Sequence, residues 1–529
     1  MKRADVIAGL SVAGLLLPEA VAYAAIAGLP VARAVAAAVI GCLVYALAGQ
    51  SRFAIVAPTS SSAAIIAAML AGLPLAAEDK AVAATAAVLV VGGLFVLAAA
   101  LRLGGLTSLI SRPVLRGFAF GIAVTIILRQ VPVLVGAGGQ ADTLWALLRA
   151  TFAASWNPWS YGPGTAALLV MLVLRQVRAL PGALIVLAGG VAASWGLNLA
   201  GHGVAMVGAI AFAPDGVSLP LLPRAEWSGL VPYVLPLALI LFAESWGTIN
   251  GLAVAHGDRV RPNRELTALG LANLASALLK GMPVGAGFSA GSAAEAAGAK
   301  GRATAMVAAV TLAALVWAAA PLMAWLPAPV LAAVVIAVLA HAMHPAPFLR
   351  LWHLQRDFAI AVLAAVAVLA FGVLNGMLIA VAVSIATLLR RLATPRVAAL
   401  GQLPGSRAFV DLARHPDAQV PDNMTVWRPS EPLFFGNAAA ILGQVRSAAR
   451  GRALVLSLEE CFDLDSTALD ELLALDQMLA RAGVQMHLAR VHDHVRDVLA
   501  LADATGLLAR SRYSVDEAVI AAQAALAVA

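Results

Sequence analysis

Between Val6 and the neighbourhood of Leu392 the chain is a succession of apolar runs, each about 20 residues long, set apart by short segments that carry most of the charge. A run of that length is what an α-helix needs to cross a hydrocarbon core of roughly 30 Å. In lipid the backbone polar groups must be satisfied within the segment, which favours helices. The expected fold is therefore a polytopic α-helical membrane protein. Composition agrees, with 62% hydrophobic and 12% charged residues and a mean hydropathy of +0.90, against roughly 25% charged residues in soluble domains. Runs able to span begin near Val6, Val31, Ala81, Val114, Gly164, Pro181, Leu230, Leu266, Ala303, Val330, Phe358 and Leu374. Two shorter, interrupted ones cover residues 54–70 and 284–298, which makes about fourteen. The first run follows Lys2 and Arg3 but is longer than a signal-peptide core and holds Pro18 and Glu19, so it reads as a transmembrane helix.

The net charge of +7 does not point to nucleic acid, because the basic residues stand singly between apolar runs and build no basic helix or aromatic-interleaved patch. They read as topology signals. With a cytoplasmic amino terminus, Arg52, Arg102, Arg112, Arg116, Arg175, Arg178, Arg259, Arg261, Arg264, Lys300, Arg302, Arg350, Arg356, Arg390 and Arg391 all fall on the cytoplasmic side. Lys80, Arg149 and Arg224 fall outside, beside Glu78, Asp79, Asp142, Asp215 and Glu226. That asymmetry places both termini in the cytoplasm. Cys42 and Cys461 are far apart in sequence and support neither a disulfide framework nor a metal cluster. No Walker A loop after a strand, no Gly-x-Ser-x-Gly elbow and no His-Glu-x-x-His helix is expected, so neither ATP-driven pumping nor hydrolase chemistry is expected, and no cofactor is called for.

The interrupted segments are third and tenth in order, the same place in each half of a seven-plus-seven arrangement. Seven is odd, so a second copy enters the membrane from the opposite side, giving the inverted repeat whose paired broken helices mark binding sites in secondary transporters. The first segment reads Ala57-Pro58-Thr59-Ser60-Ser61-Ser62, and the second runs from Gly281 through Pro283, Gly287, Phe288 and Ser289 to Ser292. A helix that starts in mid-membrane presents free N–H groups and the positive end of its dipole. Two such ends facing each other form a cradle for an anion without a fixed cation, with Thr59, Ser60, Ser61, Ser289 and Ser292 as hydroxyl donors. Close packing of small residues is the bland alternative, but it gives no reason for the matched positions.

Ionisable residues within a membrane are costly and default to functional roles. Glu19 and Glu244 are the main ones, and either can couple proton flow to anion movement or, in the bland reading, tie helices together as a hydrogen-bonded carboxyl. Glu244 with Thr248 one turn later can alternatively hold a sodium ion. Glu295 is expected in packing or at the interface, and His256, His341, His344 and His353 at interfacial helix ends. Tyr23 lies one turn after Glu19 on the same face and can line the site.

After about Pro395 the apolar runs stop, dividing residues 1–394 from 395–529. The tail reads as strands over 425–428 and 433–435, a helix over 437–449, a strand over 453–458, a helix over 466–482, a strand over 485–489 and a helix over 493–502. Such alternation suggests a small α/β domain. Asp465 or Ser466 is placed to cap the second helix, where phosphorylation of Ser466 or Thr467 would also suit the dipole.

Taken together, the chain resembles the sulfate permease (SulP) family of anion transporters over nearly its whole length. The resemblance rests on Asp5 to Leu10, Pro18-Glu19-Ala20-Val21-Ala22-Tyr23-Ala24, Ala27 to Pro30, Asn263 to Leu266, Ala268 to Asn273 and Pro283 to Gly298. The tail is similar to a STAS domain (sulfate transporter and anti-sigma-factor antagonist) through Pro432 to Ala438 and Asp465-Ser466-Thr467. The resemblance implies an inverted repeat of the uracil-permease type with core and gate subdomains. It also implies an anion held between the third and tenth and the first and eighth spans, elevator movement of the core, and a homodimer in the plasma membrane with a cytoplasmic partner at the STAS domain. By position, the site would use Tyr23, Thr59, Ser60, Phe288 and Ser289, with Ser61 and Gly287 beside them and Glu19 and Glu244 nearby. Many relatives have Arg where Ala290 stands and Gln where Glu19 stands. The first departure argues against a tightly held divalent anion, and the second favours proton coupling.

The expectation is secondary active, proton-coupled symport of a small anion of the sulfate, bicarbonate or dicarboxylate class. Its rivals are an uncoupled channel, an anion exchanger, sodium-coupled bicarbonate transport and a signalling scaffold whose tail recruits partners. The tail argues against a nucleobase carrier.

Overall fold

The structure, a computed structural model, describes residues 2–73, 76–105, 112–137, 144–174, 182–208, 224–355, 357–394, 396–449 and 452–528. The expected span start at Pro181, the charges at Asp142, Arg175, Arg178, Asp215 and Arg356, and the expected boundary at Pro395 lie outside these residues. The chain forms two compact units, the first ending at Ser384 and the second beginning at Ile385.

In the first unit α1 (Arg3–Ala27) and α2 (Val31–Ala48) are followed by a two-residue strand, β1 (Val56–Ala57), and a short helix, α3 (Ser60–Gly72). Next come α4 (Ala77–Ala100), α5 (Arg112–Val135), α6 (Leu144–Ala153), α7 (Pro158–Leu174) and α8 (Gly182–Leu197). The order then repeats in kind: long α9 (Arg224–His256) and α10 (Pro262–Leu278), strand β2 (Gly285–Ala286) and short α11 (Phe288–Ala296). After these follow α12 (Ala303–Met323), α13 (Ala328–Leu339), α14 (Ala346–His353) and α15 (Phe358–Ala393), whose residues from Ile385 onward belong to the second unit. Among the described residues, α1, α2, α4, α5 and α9 contain segments long and apolar enough to cross a bilayer by length and composition alone. As the two expected starts at Phe358 and Leu374 require, α15 is two helical segments joined end to end. The interruption falls at Gly372, whose φ of 81° and ψ of 173° a residue with a Cβ would adopt only under strain. The short α6 and α14 were not expected as separate elements.

Two groups of helices pack within this unit. In one, α1 lies against α2, α3, α11 and α12, while α10 lies against α2 and α4 and α9 against α3, α4 and α11. In the other, α13 packs on α5, α7 and α8. Many side chains on the outer surface are apolar, Leu47, Val231, Val254 and Trp317 among them, as suits contact with lipid. The first group is knit by buried polar contacts. The Tyr45 hydroxyl donates to Glu265 Oε2 at 2.6 Å, and the Gln50 N–H donates to Oε1 at 2.9 Å. Asp5, at the start of α1, accepts from the N–H groups of Lys300 and Gly301 at 2.8 Å each, holding the segment that leads into α12.

The second unit has a six-stranded sheet ordered β4-β3-β5-β6-β7-β8. Its strands are β3 (Val397–Gln402), β4 (Phe409–Asp411), β5 (Met424–Pro429), β6 (Ala453–Ser457), β7 (Gln485–Ala489) and β8 (Ser511–Arg512). β4 and β5 pair antiparallel with β3, and the pairs from β5 to β8 are parallel. The helices are α16 (Ala438–Ala448), α17 (Ser466–Arg481), α18 (Asp493–Leu501), α19 (Thr505–Ala509) and α20 (Val515–Val528). One apolar core includes residues of α16, α17, α18 and α19, and the other includes residues of α20. The strand expected over residues 433–435 is absent. There the Phe434 N–H donates to Asn437 Oδ1 at 3.0 Å while its carbonyl accepts from the N–H groups of Asn437 and Ala438, which closes a turn into α16 instead of a ladder.

Candidate functional site

Both interrupted segments are broken, as expected, and their strands meet. β1 and β2 pair antiparallel, Val56 opposite Ala286 and Ala57 opposite Gly285, so α3 and α11 start from one shared ladder. Such a meeting requires small residues. A Cβ at Gly285 would lie 2.6 Å from Leu241 Cδ1, and one at Gly41, on α2, would lie 2.6 Å from the Val56 carbonyl oxygen.

The two helix starts differ. Thr59 caps α3: its hydroxyl accepts from the Ser62 N–H at 3.2 Å and Ser62 Oγ accepts from the Thr59 N–H at 3.1 Å, a reciprocal capping box. The first-turn amides left without an intrahelical or capping acceptor are those of Ser60 and Ser61. Gly287 opens α11 with no side-chain cap, so Phe288, Ser289 and Ala290 keep their amides. Residues 281–286 are buried, and so are Ala290 and Gly291, yet Phe288 and Ser289 are exposed. The first turn of α11 is therefore accessible at Phe288 and Ser289.

Each start is tied to a carboxylate on a long helix. Ser289 Oγ donates to Glu19 Oε1 at 2.8 Å, from α11 to α1. Thr59 Oγ1 donates to Glu244 Oε2 at 3.4 Å, from α3 to α9, with the Ser61 hydroxyl beside the same carboxylate. Glu19 is 4% exposed and Glu244 half-buried. Tyr23 is buried within electrostatic reach of both. Ser60 is half-buried at the first position of α3. Thr248 is buried, its methyl 3.2 Å from where a Cβ on Gly291 would stand. The ten sequence-selected residues thus lie on α1, α3, α9 and α11 or at their caps. Glu295 lies apart, its Oε1 3.5 Å from His256 Nε2 in a part-exposed pair.

Four polar residues outside that selection hold the approach to α11. Asn273 donates to the Val284 carbonyl at 2.8 Å and accepts from the Val284 N–H at 3.0 Å. Ser276 Oγ donates to the Met282 carbonyl at 2.7 Å, Ser62 Oγ to the Pro283 carbonyl at 3.4 Å, and Ser245 Oγ accepts from the Ala286 N–H at 2.9 Å. Their partners are backbone atoms, which carry no residue-type signal. Of the four, Ser62 lies in the first interrupted segment and Asn273 ends the run from Ala268, while Ser276 and Ser245 carried no signal.

Contrary to the expectation of no such motif, Gly287 to Gly291 has the Gly-x-Ser-x-Gly spacing of a hydrolase elbow. Here it opens a membrane half-helix, and Ser289 donates to a carboxylate rather than to a histidine base. Among the described residues no cluster of three or more His, Cys, Asp or Glu side chains suited to a metal occurs. A cavity of about 520 Å³ lies where the two helix groups face each other, lined by Val21, Ala25 and Leu29 on one side and Gln130, Val133 and Leu331 on the other.

In the second unit Asp465, not Ser466, caps α17, with Oδ1 accepting from the Ala468 N–H at 2.8 Å and Oδ2 from the Phe435 N–H at 2.7 Å. Burial pushes the Cys461 thiol up to about 11, which leaves it protonated and unreactive at neutral pH.

Residues 3–367 match the model of the sulfate permease family. The chain belongs to that family. Residues 415–518 match the STAS domain. The chain is 34% identical over 514 residues to the probable sulfate transporter Rv1739c of Mycobacterium tuberculosis (strain ATCC 25618 / H37Rv), covering 94% of this chain and 90% of that protein. Its fold is similar to the murine Solute Carrier 26 family member A9 anion transporter in the inward-facing state, at a TM-score of 0.90 and 18% identity, over 99% of this chain and 92% of that one. It is also similar to the transmembrane domain of the cyanobacterium bicarbonate transporter BicA, at a TM-score of 0.62 and 19% identity, over 72% of this chain and 97% of that domain. The chain is thus an integral membrane anion transporter with a carboxy-terminal STAS domain.

Proposed function

We propose that the protein is a proton-coupled symporter of a small anion, bound at the start of α11 and flanked by the start of α3, Tyr23, Glu19 and Glu244. The observation that carries this reading is the pair of crossed contacts, Glu19 with Ser289 and Glu244 with Thr59. An ionised carboxylate one hydroxyl away from an anion site repels the anion. A protonated one does not, and it returns the hydroxyl to the anion as a donor. Proton and anion then enter together and leave together.

Neither α3 nor α11 contains Lys or Arg, and Ala290 follows Ser289. The attraction comes from amide groups and helix dipoles alone, which suits reversible binding of a monovalent anion or of a divalent anion carried with its protons. Relatives named for sulfate and for bicarbonate support both classes. The cavity between the helix groups supports elevator movement of the group bearing α3 and α11 past the other. The loop charges favour cytoplasmic termini in the plasma membrane, and the family pattern favours a homodimer.

The test is uptake into proteoliposomes of sulfate, bicarbonate, chloride, nitrate and fumarate under imposed proton and sodium gradients. An inward proton gradient is expected to drive accumulation, and Glu19→Gln or Glu244→Gln to leave uptake without pH dependence. Uptake indifferent to the gradient in the unaltered protein would sink the coupling assignment.

A further inference from the structure

We propose that Asn273 is the positioning residue of the anion site, setting the register of the strand that delivers the amides of α11. The β1–β2 ladder is only two residue pairs long, and short two-stranded ladders are marginal by themselves. A slip of one residue would move the start of α11 by roughly 3.3 Å, beyond the tolerance of any hydrogen bond made there. Something outside the ladder has to fix its register.

Asn273 does this with one planar amide. It is fully buried on α10 and makes three hydrogen bonds, accepting from the Val284 N–H at 3.0 Å and donating to the Val284 carbonyl at 2.8 Å and the Leu269 carbonyl at 2.9 Å. The side-chain oxygen and both N–H groups of the amide are thus used, and only this orientation of it serves both polar atoms of Val284. The other contacts to the strand are single: Ser276 to Met282, Ser62 to Pro283 and Ser245 to Ala286. Among the described side-chain contacts to residues 282–286, that of Asn273 is the one that grips a residue by both backbone atoms, three residues before the uncapped Gly287. Its effect on the anion is indirect, passed through residues 284–287 to the amides of Phe288, Ser289 and Ala290.

This inference rests on the reading of α11 as the anion-binding end, and its test has one arm independent of transport. The full-length protein would be prepared as Asn273→Leu, which keeps the volume and removes all three bonds, and as Asn273→Asp, which keeps an acceptor for the Val284 N–H. Tyr45→Phe, which removes a buried hydrogen bond elsewhere in the same helix group, controls for lost stability. Amide hydrogen exchange over residues 284–291 is expected to rise at least tenfold in Asn273→Leu, by less in Asn273→Asp and not at all in Tyr45→Phe. In proteoliposomes the concentration of sulfate or bicarbonate giving half-maximal uptake is expected to rise tenfold or more in Asn273→Leu, with the maximal rate within about threefold. A folded Asn273→Leu protein with unchanged exchange over 284–291 would overturn the positioning role. Raised exchange with an unchanged half-maximal concentration would confine Asn273 to stability. If the unaltered protein took up neither anion, the transport reading would fail by itself while the exchange result still decided whether Asn273 sets the strand.

Discussion

Glu265 shows what a buried carboxylate does in this molecule when it is fully committed to its neighbours. Both its oxygens are taken, by the Tyr45 hydroxyl and the Gln50 N–H, and it is inaccessible to solvent. Glu19 and Glu244 each accept instead from a hydroxyl at a helix start. On the proposed reading, the contrast separates a structural acid from the two assigned to proton coupling. Truncating Glu265 to Ala strands two buried donors, and hydrogen bonds to charged groups contribute roughly 1.5–3 kcal/mol each. A loss of about 3 kcal/mol is expected, read as a lower thermal midpoint in detergent, with the pH dependence of residual uptake intact. A variant melting like the unaltered protein would show that the network is not under load.

At the scale of elements the interrupted segments were the most legible feature, because proline followed by a run of hydroxyl residues inside an apolar stretch marks a place where a membrane helix must break and restart. Their partnership was legible only by symmetry, and the side chains that place them were not, since Asn273, Ser276 and Ser245 act on backbone atoms. In the tail the βα alternation was readable, but β3, β4, β8, α19 and α20 were missed. β3 is Ala-rich and follows a long helix, so its composition does not mark a strand, and β8 is two residues long. The two half-helices also proved unequal, because Thr59 and Ser62 close the first turn of α3 while Gly287 leaves that of α11 open. Ser62→Ala removes one half of the capping box at a cost of about 1 kcal/mol. Amide exchange over residues 59–63 is then expected to rise about fivefold, and over residues 288–291 by less, since the substitution also removes the single Ser62 contact to the Pro283 carbonyl. An equal rise at both helix starts would mean that the two are not independently capped.

For the whole molecule, the two units answer to different forces. The first is held in a medium where apolar burial contributes little between helices, so its buried hydrogen bonds and close packing carry the specificity. The second buries two apolar cores and responds to pH through His487. That side chain, on β7, is 3% exposed, and burial together with the charges of Arg510 and Arg512 lowers its pKa from 6.5 to about 4. The unfolded chain binds a proton at His487 below pH 6.5, whereas the folded unit does so only near pH 4. Stability from the neutral imidazole is therefore fully present above pH 6.5 and is lost as the pH falls toward 4. Allowing for solvent screening of the two arginines, the loss between pH 7 and pH 5 is on the order of 1–2 kcal/mol. In the full-length protein, exchange of the β6 and β7 amides, corrected for its intrinsic pH dependence, is expected to accelerate between pH 7 and pH 5. His487→Leu should flatten that dependence without altering the half-maximal anion concentration at pH 7, and a slope that survives the substitution would assign the acid sensitivity to other groups in the unit.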